Sequence, residues 1–165
     1  MVKSIILKSQ FQPVERITDN LYHLMFMLGD MTVNDEVTDY CEIIECYHKG
    51  SLSEDVARKL VENYFNPIID QEIIEGFEWD GMAIWLSSEN QFNYKAAYDL
   101  AVQTNGQNLP VTFKFGKETP QYYVFESISD LQSFYMSAMA YINGVLEEGW
   151  RKKDNFDWSL YNDTE

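Results

Sequence analysis

The chain has 165 residues, 45% of them hydrophobic and 15% aromatic, enough for one folded domain, with or without an appended arm, that needs neither metal nor disulfide for stability. Its 12 basic against 27 acidic side chains give a formal net charge of -15, a field that repels phosphate backbones and anionic membranes and so excludes unassisted binding to either. Residues 13 to 80 hold 16 acids against 4 bases, whereas residues 1 to 12 carry two lysines and no acid.

In chain order, residues 4–8 and 21–28 (LYHLMFML) read as strands. The second is apolar at nearly every position, a pattern of burial on both faces. An acidic turn, GDMTVNDEV, follows, and then YCEIIECYH at 40–48, where Cys41, Ile43 and Glu45 alternate with Glu42, Ile44 and Cys46. Such mixed faces suit an edge or partner-paired strand. Cys41 and Cys46 point to opposite faces there, so they cannot bridge each other, and they lack zinc-site spacing. With two reduced thiols and only a short apolar run near the start, the expected setting is the cytosol, or a particle packaged from it.

Ser53 before Glu54 and Asp55 predicts a helix start, and Leu60, Val61, Tyr64, Phe65 and Ile68 share a face behind it. Asn66-Pro67 threatens to break or kink this helix, and the next run, IIDQEIIEGF, either resumes it, with Gly76 suited to its end, or connects to the following hairpin. Asp80-Gly81 supplies the positive-phi pair of a two-residue turn, so residues 77–86 form a tight hairpin. Ser88 with Gln91 reads as a capping box ahead of a helix carrying Tyr94, Ala97, Tyr98 and Ala101, ending near Asn105-Gly106. Residues 109–116 (LPVTFKFG) pair with 121–126 (QYYVFE) across GKETP in a second hairpin. Ser129 with Gln132 is a further box, starting a helix with Leu131, Phe134, Tyr135, Ala138, Ile142, Val145 and Leu146 on one face. The fold class is therefore α+β, a small antiparallel sheet built from hairpins with two to three helices on one face. Residues 1–76 form an acidic part and 77–150 a hairpin-helix-hairpin-helix part, sharing one core or holding two. Residues 151–165 are a tail.

Chemistry is sparsely signalled. His23 and His48 are the only histidines, and neither sits in a local nucleophile motif. The acidic stretch lacks the ordered oxygen spacing of a calcium loop, and Gly144 and Gly149 do not make a phosphate loop. No cofactor, metal or catalytic residue is expected. Trp79, Trp85 and Phe113 lie in acidic surroundings and are expected in the core. The tail is different, with the basic triplet Arg151 to Lys153 followed by Trp158, Leu160 and Tyr161 in a polar background. Such a motif docks onto its own body or onto a partner. Ile43, Glu45, Tyr47, Trp158, Leu160 and Tyr161 are thus the candidate protein-binding residues.

The stretch FEWDGMAIWLSSENQFNYKAAYDLA, the LPVTFKFG and QYYVFE hairpin and the helix ending EEGWRKKD resemble a family of domains of unknown function carried by tailed bacteriophages and prophages of gut bacteria, in small tail- or fibre-associated proteins. The resemblance spans residues 77–158 and no motif in 1–76. It implies a virion structural or assembly role, in a protein assembled in the host cytoplasm that contacts other phage proteins or itself as a homo-oligomer, and it brings no catalytic residues. An alternative is a small acidic inhibitor of a host nucleic-acid-binding protein, which requires carboxylates along one exposed ridge. A hydrolase or metal enzyme would instead need a pocket that sets His23 or His48 beside carboxylates.

Overall fold

The computed structural model describes residues 1–116 and 119–162. It is an α+β chain of two compact units, one formed by residues 1–65 with the segment from Trp150 onward, the other by residues 66–149. The boundaries differ from those at 76 and 150 in the sequence reading, because the helix Glu54–Glu75 is divided between the units and residues 150–162 belong to the same unit as residues 1–65.

The first unit is built on a four-stranded antiparallel sheet. Its strands are β1 (Val2–Leu7), β2 (Val14–Thr18), β3 (Leu21–Val33) and β4 (Glu36–Lys49), in the order β1-β4-β3-β2. Most of the acidic stretch GDMTVNDEV is strand, not turn. Only Asn34 and Asp35 reverse the chain, at φ 51° and 64°, the left-handed geometry that short polar side chains tolerate and that a two-residue hairpin turn requires.

The same sheet corrects the expectation that residues 40–48 form an edge. β4 is central, between β1 and β3. Its mixed faces have a different cause, because Ile43 and Ile44 are both fully buried although they point to opposite sides. On β3, Tyr22, His23 and Leu24 are buried in succession, as its continuous apolar run implied. β2 is a strand that the sequence pattern does not reveal, since four of its five residues are exposed.

Helix α1 (Glu54–Glu75) begins where Ser53 Oγ accepts the amide of Val56 at 3.4 Å. Pro67 lies inside it, removing one backbone donor without ending the helix. The buried ladder is Ala57, Val61, Phe65 and Ile69 at four-residue spacing, while Ile68 is 46% exposed. The expected face was therefore one residue out at its far end. The chain leaves the first unit within α1 and re-enters it within α3 (Ile128–Asp154).

In the second unit, β5 (Phe77–Trp79) and β6 (Met82–Ile84) form the expected hairpin, with Asp80 and Gly81 at φ 50° and 72°. Helix α2 (Ser88–Gln103) is capped by Ser87, whose hydroxyl accepts from Asn90 N, so the cap lies one residue before Ser88. Gln91 Nε2 instead donates to Leu86 O at 2.7 Å. Likewise Ser127, not Ser129, caps α3 through the amide of Asp130. β7 (Val111–Phe115) and β8 (Gln121–Phe125) make the second hairpin; part of the GKETP turn lies outside the described residues. The two hairpins stay separate two-stranded ribbons, linked by Gly116 N donating to Ala83 O at 3.0 Å.

One side chain organises this unit. Phe134 on α3 has ring contacts with Phe77, Trp79, Tyr94, Phe113, Phe115 and Phe125, centroids 5.0 to 6.3 Å away. The pairs at steep angles are the edge-to-face arrangement that ring quadrupoles favour. At the other end of α3, Gly149 is buried so closely against α1 that an added Cβ would stand 2.4 Å from Ile69 Cδ1.

Candidate functional site

Three of the six expected binding residues, Ile43, Glu45 and Tyr47, lie on β4, and the other three on a 3-10 turn, Trp158–Tyr161, that packs against the same sheet. Phe26 pairs with Ile44, and Met25 with Glu45. Phe26 and Ile44 therefore share one face, and Ile43, Glu45 and Tyr47 share the other.

The first face receives the tail. Phe26 stacks on Tyr161 at 4.5 Å and 14°, and Phe156 meets it edge-on at 5.8 Å. Trp158 stands 6.5 Å from Phe26 and 6.1 Å from Tyr161, with the Arg58 guanidinium 4.6 Å from its ring centre, a cation–π contact. The Tyr161 hydroxyl donates to Met25 O at 2.7 Å, and Asn162 Nδ2 donates to Glu54 Oε1 at 3.0 Å. Burial, assisted by Asp157, pushes the Tyr161 phenol well above its ordinary range. Locally, Asp157 starts the short 3-10 turn Trp158–Tyr161 by accepting Ser159 N at 3.1 Å. Trp158 and Tyr161 are thus buried in their own unit, which corrects any reading of them as free ligands. Leu160 is 47% exposed and borders two shallow grooves of about 200 and 430 Å³.

The opposite face carries a polar cluster. His23 Nε2 faces Glu45 Oε2 at 2.8 Å, His23 Nδ1 is 3.6 Å from Glu15 Oε2, and Ser4 Oγ donates to Glu45 Oε1 at 3.0 Å. Tyr47 stacks over the imidazole at 4.9 Å. These groups come from all four strands. Their order matters chemically, because the Glu45 carboxylate stands between serine and histidine. His23 thus has no contact with Ser4 of the kind by which a base activates a nucleophile. Carboxylates do flank His23, as a hydrolase or metal reading required. Among the described residues, however, no group of three or more His, Cys, Asp or Glu side chains could hold a metal ion. His48 Nε2 lies 3.1 Å from Ser51 O, closing the turn after β4.

Of the β4 candidates, Ile43 is fully buried, which removes it from any contact surface. Glu45 is half-buried and engaged as above. Tyr47 is 69% exposed.

The sheet carboxylates do not line one ridge. Glu42 lies on the opposite face from Glu45 and is paired with Lys3 at 2.8 Å, while Asp30 pairs with Lys8 at 2.9 Å and Asp19 with Arg16 at 3.5 Å.

The surface that the sequence reading missed is the β1 edge. Val2, Ile5 and Leu7 are exposed there, on a strand that among the described residues has no partner on its outer side. Its signal was present as an apolar strand in the only basic stretch of the acidic first half. No helix among the described residues is long and apolar enough to cross a membrane. Compared with known proteins, the chain matches no protein-family model, no curated protein and no solved structure.

Proposed function

We propose that this chain is a non-enzymatic protein of a tailed bacteriophage, a virion component or assembly factor of the tail, fibre or portal, acting through contacts with other phage proteins or with itself. The phage setting rests on the resemblance of residues 77–158, which implies a virion protein assembled in the host cytoplasm. The observation that carries the contact role is the open β1 edge with Val2, Ile5 and Leu7 exposed, since strand edges offer unpaired backbone groups to another chain. The phosphate-mimic alternative needs an acidic ridge, and the division of sheet carboxylates between two faces weighs against it.

Mass spectrometry of purified virions tests the proposal. Stoichiometric copies support a component, and presence only in assembly intermediates supports an assembly factor. Absence from both, with recovery on a host nucleic-acid-binding protein, would overturn it in favour of the inhibitor.

A further inference from the structure

The two edges of the first unit's sheet differ in how they are protected. β2 follows Pro13, carries Glu15 and Arg16, and has a register shift between Arg16 and Thr18. Charges, irregular pairing and proline are the devices by which natural sheets keep an edge from recruiting another strand. β1 has one of them, Lys3, and Lys3 is already paired with Glu42. Its six residues run in unbroken register with β4 from Val2–Glu45 to Leu7–Tyr40.

Apolar side chains flank this edge on both faces. Val2 lies on the face that also bears Tyr47, while Ile5 and Leu7 lie on the face of Tyr40; Val2, Ile5, Tyr40 and Tyr47 are each about half exposed or more. An incoming strand would therefore gain side-chain contacts above and below its backbone hydrogen bonds.

Charge selects the occupant. A chain of net charge -15 repels its own copies over most of its surface. Along this edge Glu42 is paired with Lys3 and Asp30 with Lys8, while Glu45, opposite Val2, is turned to Ser4 and His23. Both β4 acids in register with β1 thus have partners, which lowers the repulsion a second copy meets at this apolar strip.

We infer that β1 pairs antiparallel with β1 of a second copy about a twofold axis, joining two sheets into one of eight strands. The inference rests on the protein-contact reading above and names its partner. A twofold contact uses the same patch on both copies, so one substitution strikes it twice.

The test is sedimentation equilibrium of the full chain over a concentration series. The expected result is a species of twice the 19.4 kDa chain mass, whose dissociation constant falls as added salt screens the repulsion between acidic copies. Ile5→Lys places two charges in the contact and should raise that constant by about tenfold or more, whereas Ile17→Lys on the guarded β2 edge should leave it unchanged. Should Ile5→Lys lose its far-UV circular dichroism, Val2→Lys supplies the same readout. A wild type that stays single at ~100 µM in moderate salt, far above a specific dimer's dissociation constant, overturns the inference, as does a dimer indifferent to Ile5→Lys or Val2→Lys. Either result would leave the virion measurement untouched, so the two readings fail separately.

Discussion

Removing the Tyr161 side chain in two steps separates the forces that hold the tail on the sheet. Tyr161→Phe deletes only the hydroxyl, and with it the 2.7 Å bond to Met25 O. The acceptor is part-buried, so the loss should be about 1 to 1.5 kcal/mol. Tyr161→Ala also removes a ring that is 2% exposed, stacked on Phe26 and near Trp158. Truncating a buried aromatic costs about 3 to 5 kcal/mol, and the open groove of about 200 Å³ beside Leu160 and Tyr161 favours the lower end, because neighbours there can relax. Leu160→Ala, at a half-exposed position, should fall below about 0.5 kcal/mol. Urea unfolding followed by circular dichroism measures all three. A Tyr161→Ala protein within about 1 kcal/mol of wild type would refute the view that the tail is part of the first unit's core.

Two further perturbations probe the second unit. Gly149→Ala gains up to about 1 kcal/mol of helix propensity but drives a methyl into Ile69, an overpacking cost of about 1 to 3 kcal/mol. The net effect should be destabilising in the wild type and neutral or stabilising beside Ile69→Ala; equal effects in both backgrounds would count against this contact. For pH, burial pushes the Tyr94 phenol up to about 12, above the value of about 10 expected when unfolded. Its contribution is complete below pH ~10 and declines as pH rises towards the folded value, at no more than about 1.4 kcal/mol per pH unit. Urea midpoints from pH 8 to 11.5 should fall less steeply in Tyr94→Phe, and parallel profiles would exclude the effect.

Local chemistry explains what could be read ahead of the structure. Asp80-Gly81 needs no distant partner to turn the chain, and the spacing on α3 from Leu131 to Val145 follows from one buried stripe. The caps slipped by one or two residues because serines are near neighbours at 87–88 and 127–129, and only backbone geometry shows which hydroxyl reaches an amide. The place of β4 was not legible, because its neighbour β1 lies some 40 residues upstream and the register shifts near Gly29 and Asp30 have no periodic signature. Among the candidate site residues, an aromatic tail motif looks the same whether it binds its own sheet or another protein. The partner of Trp158 and Tyr161 is Phe26, more than 130 positions earlier, a pairing that only the folded chain reveals.

That long pairing bears on how the protein is made. The sheet strands leave the ribosome well before the residues that cover Phe26, which emerge only after all of residues 66–149. At typical rates of synthesis the delay is roughly 5 to 15 seconds. Throughout it the nascent sheet lacks the Phe156, Trp158 and Tyr161 rings that meet Phe26, so this face of the first unit is completed only when residues 156–161 arrive.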